Sequence, residues 1–343
     1  MLYELPPLEH LTAYNVEEAV RWLAEYNPRG KVIAGGTDLL GLMKDKITGP
    51  QMPMPEVLID IKKIPGLSAI QYEAGKGLTI GAAATLTSIM TSSIVLEKYP
   101  ILAQAAGQVA THQIRNMGTL GGNLCQRPWC WYFRVPQFNC YKKGGAMCPA
   151  ITGNNKYYFS ILGLGICVMA HPSDTAPALI ALGASAKIVG SDGSRTVPIE
   201  QFFKGPREVF ETVLKPDELL TEIQVPEPRR NSYGIFLKER PRETWDFALA
   251  SVATLLQIEG KVCQEARVIL GGVAPYPYRA LGAEELLRNR EIGGEAPEKA
   301  GEAAVSGARP LRANHYKIRL TKALVKRAVL HCLDRASRLS DGV

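Results

Sequence analysis

At the centre of the chain stands the stretch Ile114-Arg115-Asn116-Met117-Gly118-Thr119-Leu120-Gly121-Gly122-Asn123. A glycine- and aromatic-rich insertion follows it and carries four cysteines, Cys130, Cys140, Cys148 and Cys167. The segment ends at His171-Pro172-Ser173-Asp174, just before an apolar run with helical character. Glycines let a backbone approach a planar or phosphorylated ligand, and soft thiolates can hold a metal centre. The sequence therefore predicts a ligand site and a metal site side by side.

The composition is that of a globular protein with more than one domain. Its 343 residues exceed the usual single-domain size, and a hydrophobic content of 46% excludes wholesale disorder. The net charge of +7 is spread along the chain and is weak evidence for nucleic-acid binding. No apolar run is long enough to cross a bilayer. Residues 1–11 carry Glu4 and Glu9 but no basic n-region, so we predict no signal peptide and a cytoplasmic location, with export together with a partner subunit as the open alternative.

Cysteine usage favours metal binding over disulfides. Five of the seven cysteines lie between Cys125 and Cys167, whereas a disulfide scaffold would spread them and need a secreted context. The residues alone leave an iron–sulfur cluster, a zinc site and free thiols open, although the lack of a C-x₂-C pair argues mildly against a zinc knuckle. The other three cysteines are predicted to be small structural side chains, Cys125, Cys263 and Cys332.

A second glycine motif lies near the N-terminus. A short predicted strand, residues 31–34, leads into Gly35-Gly36-Thr37-Asp38 and then into an apolar run with helical character. Such a junction aims backbone N–H groups and the positive end of the helix dipole at one point, which suits an anion. The alternative is a plain strand-to-helix turn capped by Thr37 or Asp38, because the motif matches neither the dinucleotide fingerprint nor the P-loop.

The remaining pattern predicts an α+β protein with α/β character in its N-terminal half. Asn15 is predicted to cap a helix, with Glu18 reaching back to the helix start. Pro100 suits the first turn of another helix, and Asp174 is a possible cap for the helix at 176–182. Further helices are predicted after Thr85, at 280–288 and at 317–333. Strands are predicted at 57–61, 69–72, 78–81, 187–189, 220–225, 247–258 and 266–273. Residues 226–231 are the predicted linker.

Two of these motifs, taken together and in this order, resemble the FAD-binding subunit of molybdenum hydroxylases. The resemblance rests on Ala34-Gly35-Gly36-Thr37-Asp38-Leu39-Leu40, and on Gln113-Ile114-Arg115-Asn116 followed by residues 118–123. Residues 172–179, 238–250 and 270–275 are also similar, so the resemblance covers nearly the whole chain. The family includes flavin subunits of xanthine dehydrogenase, carbon monoxide dehydrogenase, aldehyde oxidoreductases and 4-hydroxybenzoyl-CoA reductase.

The resemblance implies a fold and a set of ligand contacts. The fold is a two-part FAD-binding domain of the vanillyl-alcohol-oxidase (PCMH) type in residues 1–226, followed by a smaller α+β domain in residues 232–335. The first glycine loop would hold the pyrophosphate, and the second would lie against the flavin and its ribityl-phosphate side. Lys238 would sit near the flavin ring, unless it is a solvated lysine at a strand edge. The implied FAD-binding residues are Ala34, Gly35, Gly36, Thr37, Asp38, Leu39, Thr119, Gly121, Gly122, Asn123, Asp174 and Lys238. No catalytic residue is implied, since substrate chemistry belongs to another subunit.

The insertion at about 125–170 departs from the common family pattern, in which a short connection joins Gly-Gly-Asn to Pro-Ser-Asp. It resembles the cysteine insertion of 4-hydroxybenzoyl-CoA reductase and periplasmic aldehyde oxidoreductase flavin subunits, where four cysteines bind an additional [4Fe–4S] cluster. By this resemblance the cluster ligands are Cys130, Cys140, Cys148 and Cys167.

The predicted function is that of an electron-transfer subunit with FAD and [4Fe–4S]. It would pass electrons between [2Fe–2S] centres and an external carrier such as ferredoxin. The molybdenum cofactor is expected on a large partner subunit and the [2Fe–2S] centres on a small one, in a heterotrimer or a dimer of heterotrimers. Neither nucleic acid nor a membrane span is expected. Two alternatives stay open, a free-standing flavin oxidoreductase of the same fold and a zinc-containing binding module.

Overall fold

The computed structural model describes residues 4–340. Their strands, numbered in chain order, are β1 Glu9–Thr12, β2 Gly30–Ile33, β3 Val57–Asp60, β4 Ile70–Glu73, β5 Gly77–Gly81, β6 Ser185–Gly190, β7 Gly193–Pro198, β8 Leu219–Val225, β9 Ser232–Glu239, β10 Ala250–Glu259, β11 Val262–Gly271, β12 Tyr278–Arg279 and β13 Arg290–Glu291. Their helices are α1 Val16–Glu25, α2 Leu39–Lys44, α3 Leu86–Thr91, α4 Ser93–Lys98, α5 Pro100–Gly107, α6 His112–Met117, α7 Leu120–Cys125, α8 Trp131–Arg134, α9 Thr175–Ala181, α10 Ile199–Phe202, α11 Leu281–Leu287, α12 Ala296–Ala304 and α13 Tyr316–Ser340. None of the helices in this part of the chain combines the length and apolarity that a membrane span requires.

The first sheet is parallel and has the strand order β1-β3-β2. Its central strand β3 is buried at every residue, and helix α1 packs against it through an apolar stripe. The side chain of Asn15 accepts a hydrogen bond from the Glu18 amide at 2.8 Å, and the Glu18 carboxylate accepts one from the Tyr14 amide at 2.8 Å. The predicted start of α1 is confirmed, because both side chains bond backbone donors that the helix leaves free.

The second sheet is antiparallel, with the order β4-β5-β8-β6-β7. Helices α5 and α9 share one buried apolar cluster with strands of this sheet and with β9, β10 and β11, and Pro100 stands in the first turn of α5 as predicted. Strand β8 lies between β5 and β6, although more than a hundred residues of chain separate it from β5. This topology brings the segment that precedes β8 back to the glycine motifs of the N-terminal part.

The third sheet is antiparallel and lies beyond the predicted linker, with the order β12-β11-β10-β9. Helices α11 and α13 bury their apolar faces against it. Strand β9 and helix α12 are not among the sequence predictions, because β9 lacks a regular alternation of buried residues and α12 is built from small and charged residues. The parallel sheet with its helices and the two antiparallel sheets confirm the predicted α+β class.

The insertion has a small core of its own and is fastened to the third sheet. Its core contains Phe133 and Phe159 together with three of the four cysteine side chains. The amides of Ile161 and Leu162 donate to the carbonyl of Val273 at 2.8 and 3.0 Å. Helix α13 adds a buried contact, since the Lys317 ammonium donates to the carbonyl of Phe159 at 3.0 Å. The insertion is therefore held between the glycine motifs and the C-terminal part of the chain.

Candidate functional site

A cavity of about 540 Å³ opens where the two glycine motifs meet. Residues 34–39 of the first motif, and Thr119 and Gly122 of the second, line it. The segment between Phe210 and Glu218, which leads into β8, forms another part of the wall. Cys125 also lines the cavity, although the sequence suggested only a structural role for it. The cavity gathers eight of the twelve predicted FAD-binding residues, while Gly121, Asn123, Asp174 and Lys238 are not part of its lining.

The first motif presents a row of free backbone donors. Among the described residues, no protein acceptor meets the amides of Gly35, Gly36, Thr37, Asp38 and Leu39. Gly36 has a φ of 68°, a conformation that strongly favours glycine and turns the chain sharply before α2. Free amides at a strand-to-helix turn suit an anionic group such as a pyrophosphate. The donor set therefore fits the predicted phosphate-binding role.

The second motif differs from the predicted glycine loop, because Leu120–Cys125 forms the short helix α7. Thr119 caps it and accepts a hydrogen bond from the Gly122 amide at 3.1 Å. The amide of Gly121 donates to the carbonyl of Ala82 at 2.8 Å, so it is already used within the protein. The sequence suggested a turn because two adjacent glycines disfavour a helix, but the cap and the packing against Ala82, β8 and α9 override that preference.

The glycines of the two motifs pack backbone against backbone. A Cβ on Gly35 would collide with the carbonyl of Met117, at the end of α6. A Cβ on Gly121 would lie 2.9 Å from the carbonyl oxygen of Ala82. At Gly122 the nearest protein atom to such a Cβ is the Thr119 hydroxyl at 3.1 Å. Gly122 lines the cavity, and unlike Gly35 and Gly121 it has no backbone atom in the position that a Cβ would take.

Asp38 has a different role from the helix cap considered in the sequence. It occupies the N-cap position of α2, but its side chain makes no capping bond. Its carboxylate pairs with Arg134 at 2.5 Å and accepts the Arg127 amide at 2.9 Å. Both arginines belong to the insertion, so this carboxylate joins the first glycine motif to the cysteine-bearing segment. Sequence reasoning missed both arginines, since they lie about 90 residues or more from Asp38.

A second polar group forms around Asn123, Asp174 and Lys238. The side-chain Oδ1 of Asn123 accepts hydrogen bonds from the hydroxyls of Ser173 and Thr175, each at 2.6 Å. These two hydroxyls were not predicted, although their positions on either side of Asp174 are a usable signal. The group is connected to the cavity through α7, which carries both Gly122 and Asn123.

Lys238 and Asp174 form a buried ion pair at 2.5 Å, with the lysine side chain 1% exposed. Lys238 also donates to the carbonyl of Gln108 at 3.1 Å. Burial raises the pKa of Asp174 and lowers the pKa of Lys238, while each partner favours the charged form of the other. The alternative of a solvated lysine is wrong, and the Asp174 carboxylate does not cap α9. The pair places a fixed cation near the end of β9, the edge strand of the third sheet.

The four cysteines of the insertion are buried close to one another. The thiols of Cys148 and Cys167 share a hydrogen bond, which lowers the pKa of Cys148 to about 6 and raises that of Cys167. Burial raises the pKa of Cys130 to about 12 and raises that of Cys140, and the electrostatic influence of Cys148 reaches both. All seven cysteines, which lie within residues 4–340, are free thiols. Across the same residues, no three His, Cys, Asp or Glu side chains are arranged to hold a single metal ion.

Residues 6–228 match the FAD binding domain in molybdopterin dehydrogenase, and residues 235–332 match the CO dehydrogenase flavoprotein C-terminal domain. The chain belongs to the FAD-binding subunits of the molybdenum hydroxylase family. It is 33% identical over 304 residues to the aldehyde oxidoreductase FAD-binding subunit PaoB of Escherichia coli (strain K12), covering 87% of this chain and 90% of that protein. It is 30% identical over 329 residues to the carbon monoxide dehydrogenase medium chain of Hydrogenophaga pseudoflava, covering 94% and 96%.

Solved structures of the molybdenum hydroxylase family show the same fold. A chain of carbon monoxide dehydrogenase from Hydrogenophaga pseudoflava superposes with a TM-score of 0.77 at 29% identity, covering 97% of this chain and 99% of that one. A chain of quinoline 2-oxidoreductase from Pseudomonas putida 86 gives a TM-score of 0.75 at 25% identity with the same coverage. The predicted family, its FAD-binding domain and the oxidoreductase class are confirmed, whereas membership of the [4Fe–4S] subgroup stays a prediction.

Proposed function

We propose that the chain is the electron-transfer subunit of a molybdenum-cofactor oxidoreductase complex and carries both FAD and a [4Fe–4S] cluster. The observation that carries the flavin assignment is the row of free amides at residues 35–39, which belong to the lining of the cavity between the two glycine motifs. Bound FAD would supply one- and two-electron chemistry. The chain itself would bind the cofactor, orient it and exclude water from it.

The twelve predicted FAD-binding residues would make different kinds of contact with the cofactor. The first loop would hold the pyrophosphate through its amides, and Gly122 would leave room for the cofactor beside α7. Lys238 would stand near the flavin ring as a cation held in place by Asp174, which suits a cofactor that becomes anionic on reduction. Asn123 would contribute through its amide group, because its carbonyl oxygen is taken by Ser173 and Thr175.

The cluster assignment is supported by the donor set. Four thiols, Cys130, Cys140, Cys148 and Cys167, lie in or beside one apolar core, and four thiolates are the usual ligands of a [4Fe–4S] cluster. The cysteines are separated by nine, seven and eighteen residues, and the lack of a C-x₂-C pair argues mildly against a zinc knuckle.

The relatives indicate the kind of assembly. They are named as medium chains or FAD-binding subunits of carbon monoxide, aldehyde and xanthine oxidoreductases. We infer a large partner subunit with the molybdenum cofactor, a small one with [2Fe–2S] centres, and a heterotrimer or its dimer. A one-electron carrier such as ferredoxin is the proposed external partner, because a cluster beside FAD offers a one-electron route. The domain limits 1–226 and 232–335 and the cytoplasmic location stay predictions.

A visible spectrum of the purified protein tests the cofactor content. Flavin bands with a broad iron–sulfur shoulder, and about four irons per chain, are expected. Flavin bands without iron would favour the free-standing flavin oxidoreductase, and a colourless zinc protein would favour the binding module. Either result would contradict the proposed cofactor set.

The relay role of the cluster needs a separate experiment. Cys140→Ser and Cys148→Ser are expected to lose the cluster signal, and assembly and flavin content are then measured on the same samples. Slower electron exchange with ferredoxin in an assembled, FAD-loaded complex is expected. Exchange at the wild-type rate would show that the cluster only braces the insertion.

A further inference from the structure

Two lysines are buried beside the four cysteines of the insertion. Lys142 and Lys143 are 2% and 1% exposed and form a single 3-10 turn directly after Cys140. The proposed function assigns neither of them a role. Burying an ammonium group is costly unless a negative group or several hydrogen bonds offset the loss of water. Each lysine therefore needs a partner that explains its position.

Lys142 has a carboxylate partner inside the protein. Its Nζ lies 3.2 Å from the Glu211 carboxylate and donates to the Glu208 carbonyl at 2.8 Å. The same Glu211 pairs with Arg127 at 3.0 Å. The charge of Lys142 is thus shared within a network that ties the insertion to the wall of the cavity.

Lys143 has no such partner. Its Nζ donates to the carbonyl of Val135 at 2.9 Å, and among the described residues no carboxylate lies within 4.0 Å of it. Burial lowers the pKa of Lys143, and the nearby thiols of Cys140 and Cys130 act in the opposite direction. The groups beside Lys143 that would become negative on binding a metal centre are the thiols of Cys140 and Cys130.

We propose that Lys143 is the buried counter-charge of the four-cysteine centre and raises the reduction potential of the cluster held there. This rests on the proposed function, since it requires the cluster. A [4Fe–4S] centre with four thiolates is anionic, and an electron from a reductant adds one further negative charge without making or breaking a bond. A fixed cation in a low-dielectric core stabilises the more negative state more strongly. Lys143 is a tuning residue and not a ligand.

The competing explanation is purely structural. Lys143 could serve only to bond the Val135 carbonyl and to fill space in the core. Three variants separate charge from shape. Lys143→Met keeps most of the volume and removes the charge, while Lys143→Arg keeps the charge. Lys156→Met removes a charge from the same insertion at an exposed position, where solvent and salt screen it.

The measurement is a reductive titration of the full chain with dithionite and mediators under anaerobic conditions. The cluster signal is followed by electron paramagnetic resonance, and the flavin bands in the same titration serve as an internal reference. We expect the cluster midpoint of Lys143→Met to shift to lower potential, with Lys143→Arg and Lys156→Met close to the wild type. An unchanged midpoint in an iron-replete Lys143→Met protein would overturn the proposal.

Two other outcomes are also decisive. If Lys143→Met loses the cluster while Lys143→Arg keeps it, the requirement for charge is supported by iron content alone. If Lys143→Arg loses the cluster as well and Lys156→Met does not, cluster binding depends on the shape of the Lys143 side chain and not on its charge, and the proposal is wrong. Wild-type protein without iron would instead disprove the cluster assignment itself, and this inference with it. That failure is distinguishable because it affects every sample equally.

Discussion

Glycines that look alike in the sequence meet different constraints in the folded chain. Gly36 needs its positive φ, and Gly35 and Gly121 need the absence of a Cβ because a backbone carbonyl lies against each. At Gly122 an added Cβ would meet no backbone atom, only the Thr119 hydroxyl at 3.1 Å, which would have to move by a few tenths of an ångström. Among these glycines, Gly122 is therefore the one at which a substitution disturbs the fold least and the cavity most.

Gly122→Val is therefore expected to give folded protein with little flavin. Overpacking of the cavity should weaken FAD binding by about 1–3 kcal/mol, which is roughly tenfold or more in Kd. Binding of FAD to apoprotein, measured by quenching of flavin fluorescence, checks this. The matched control is Gly41→Ala in α2, where an added Cβ meets nothing within 4 Å, and this variant should keep wild-type affinity. Normal flavin content in Gly122→Val would argue against the placement of FAD beside α7.

A buried histidine gives the fold a defined response to acid. The ring of His171 packs edge-on against Phe203, with centroids 4.5 Å apart, and its Nδ1 accepts the Ser173 amide at 3.4 Å. Burial, together with the charge of Lys142, lowers the pKa of His171 to about 3. The unfolded chain takes up a proton below about pH 6.5, whereas the folded chain does not until about pH 3. Stability is therefore lost as pH falls through this window.

The expected slope is about 1.4 kcal/mol of unfolding free energy per pH unit from this one group. His171→Phe removes the proton-binding group and keeps an aromatic ring against Phe203. Between roughly pH 6 and pH 4 the wild type should lose stability more steeply than the variant by about that amount. Denaturant unfolding of both proteins at several pH values measures the difference. Parallel pH profiles would show that His171 is already charged in the folded chain.

At the scale of elements, the insertion is an integral part of the fold and not an appended loop. Asp38 joins it to the first glycine motif through Arg134 and Arg127. On its other side, Asn314 and Lys317 at the C-terminal end donate to the Phe159 carbonyl at 3.3 and 3.0 Å. The insertion thus connects the proposed pyrophosphate loop to the C-terminal helix.

Arg134→Met should separate the insertion from the first motif. The pair is largely shielded from solvent, so its loss is expected to lower the unfolding free energy by about 1–3 kcal/mol and to weaken FAD binding, because α2 and its loop lose their anchor. Denaturant unfolding and FAD titration measure the two effects. Arg29→Met is the control, since its pair with Glu56 at 2.7 Å is exposed and its removal should change stability by about 0.5 kcal/mol or less. Equal losses in both variants would refute an anchoring role.

At the scale of the whole molecule, all three sheets contribute residues to the candidate site. The parallel sheet supplies the first motif, the second sheet brings the segment before β8 to the cavity, and the third sheet supplies Lys238. The proposed FAD and cluster sites therefore draw on every part of the chain. Such an arrangement suits a subunit that conducts electrons between partners.

Assembly is the prediction that belongs to this scale. Co-expression of the chain with its molybdenum and [2Fe–2S] partner subunits should give a heterotrimer or a dimer of heterotrimers. Size-exclusion chromatography with light scattering, and identification of the co-purified subunits, measure the composition. A monomer that turns over a small molecule unaided would instead favour the free-standing flavin oxidoreductase.

The sequence by itself determined the features that depend on neighbouring residues. The start of α1 can be predicted from the sequence because the side chains of Asn15 and Glu18 form hydrogen bonds with backbone groups within four residues. The first glycine motif can be predicted because its strand, turn and helix follow one another directly in the sequence. The family could also be predicted, since two motifs in a fixed order are specific together.

The tertiary structure alone decided which distant groups meet. Asp38 and Arg134 are 96 residues apart, and Asp174 and Lys238 are 64 apart, so no local pattern links them. The same holds for the helical form of Leu120–Cys125, where a cap and packing outweigh the low helix propensity of two glycines. Local bonds are encoded by spacing along the chain. The partners of buried charges depend on how the sheets pack. An unpaired buried charge is costly, so each of these two pairs joins opposite charges that the topology brings near.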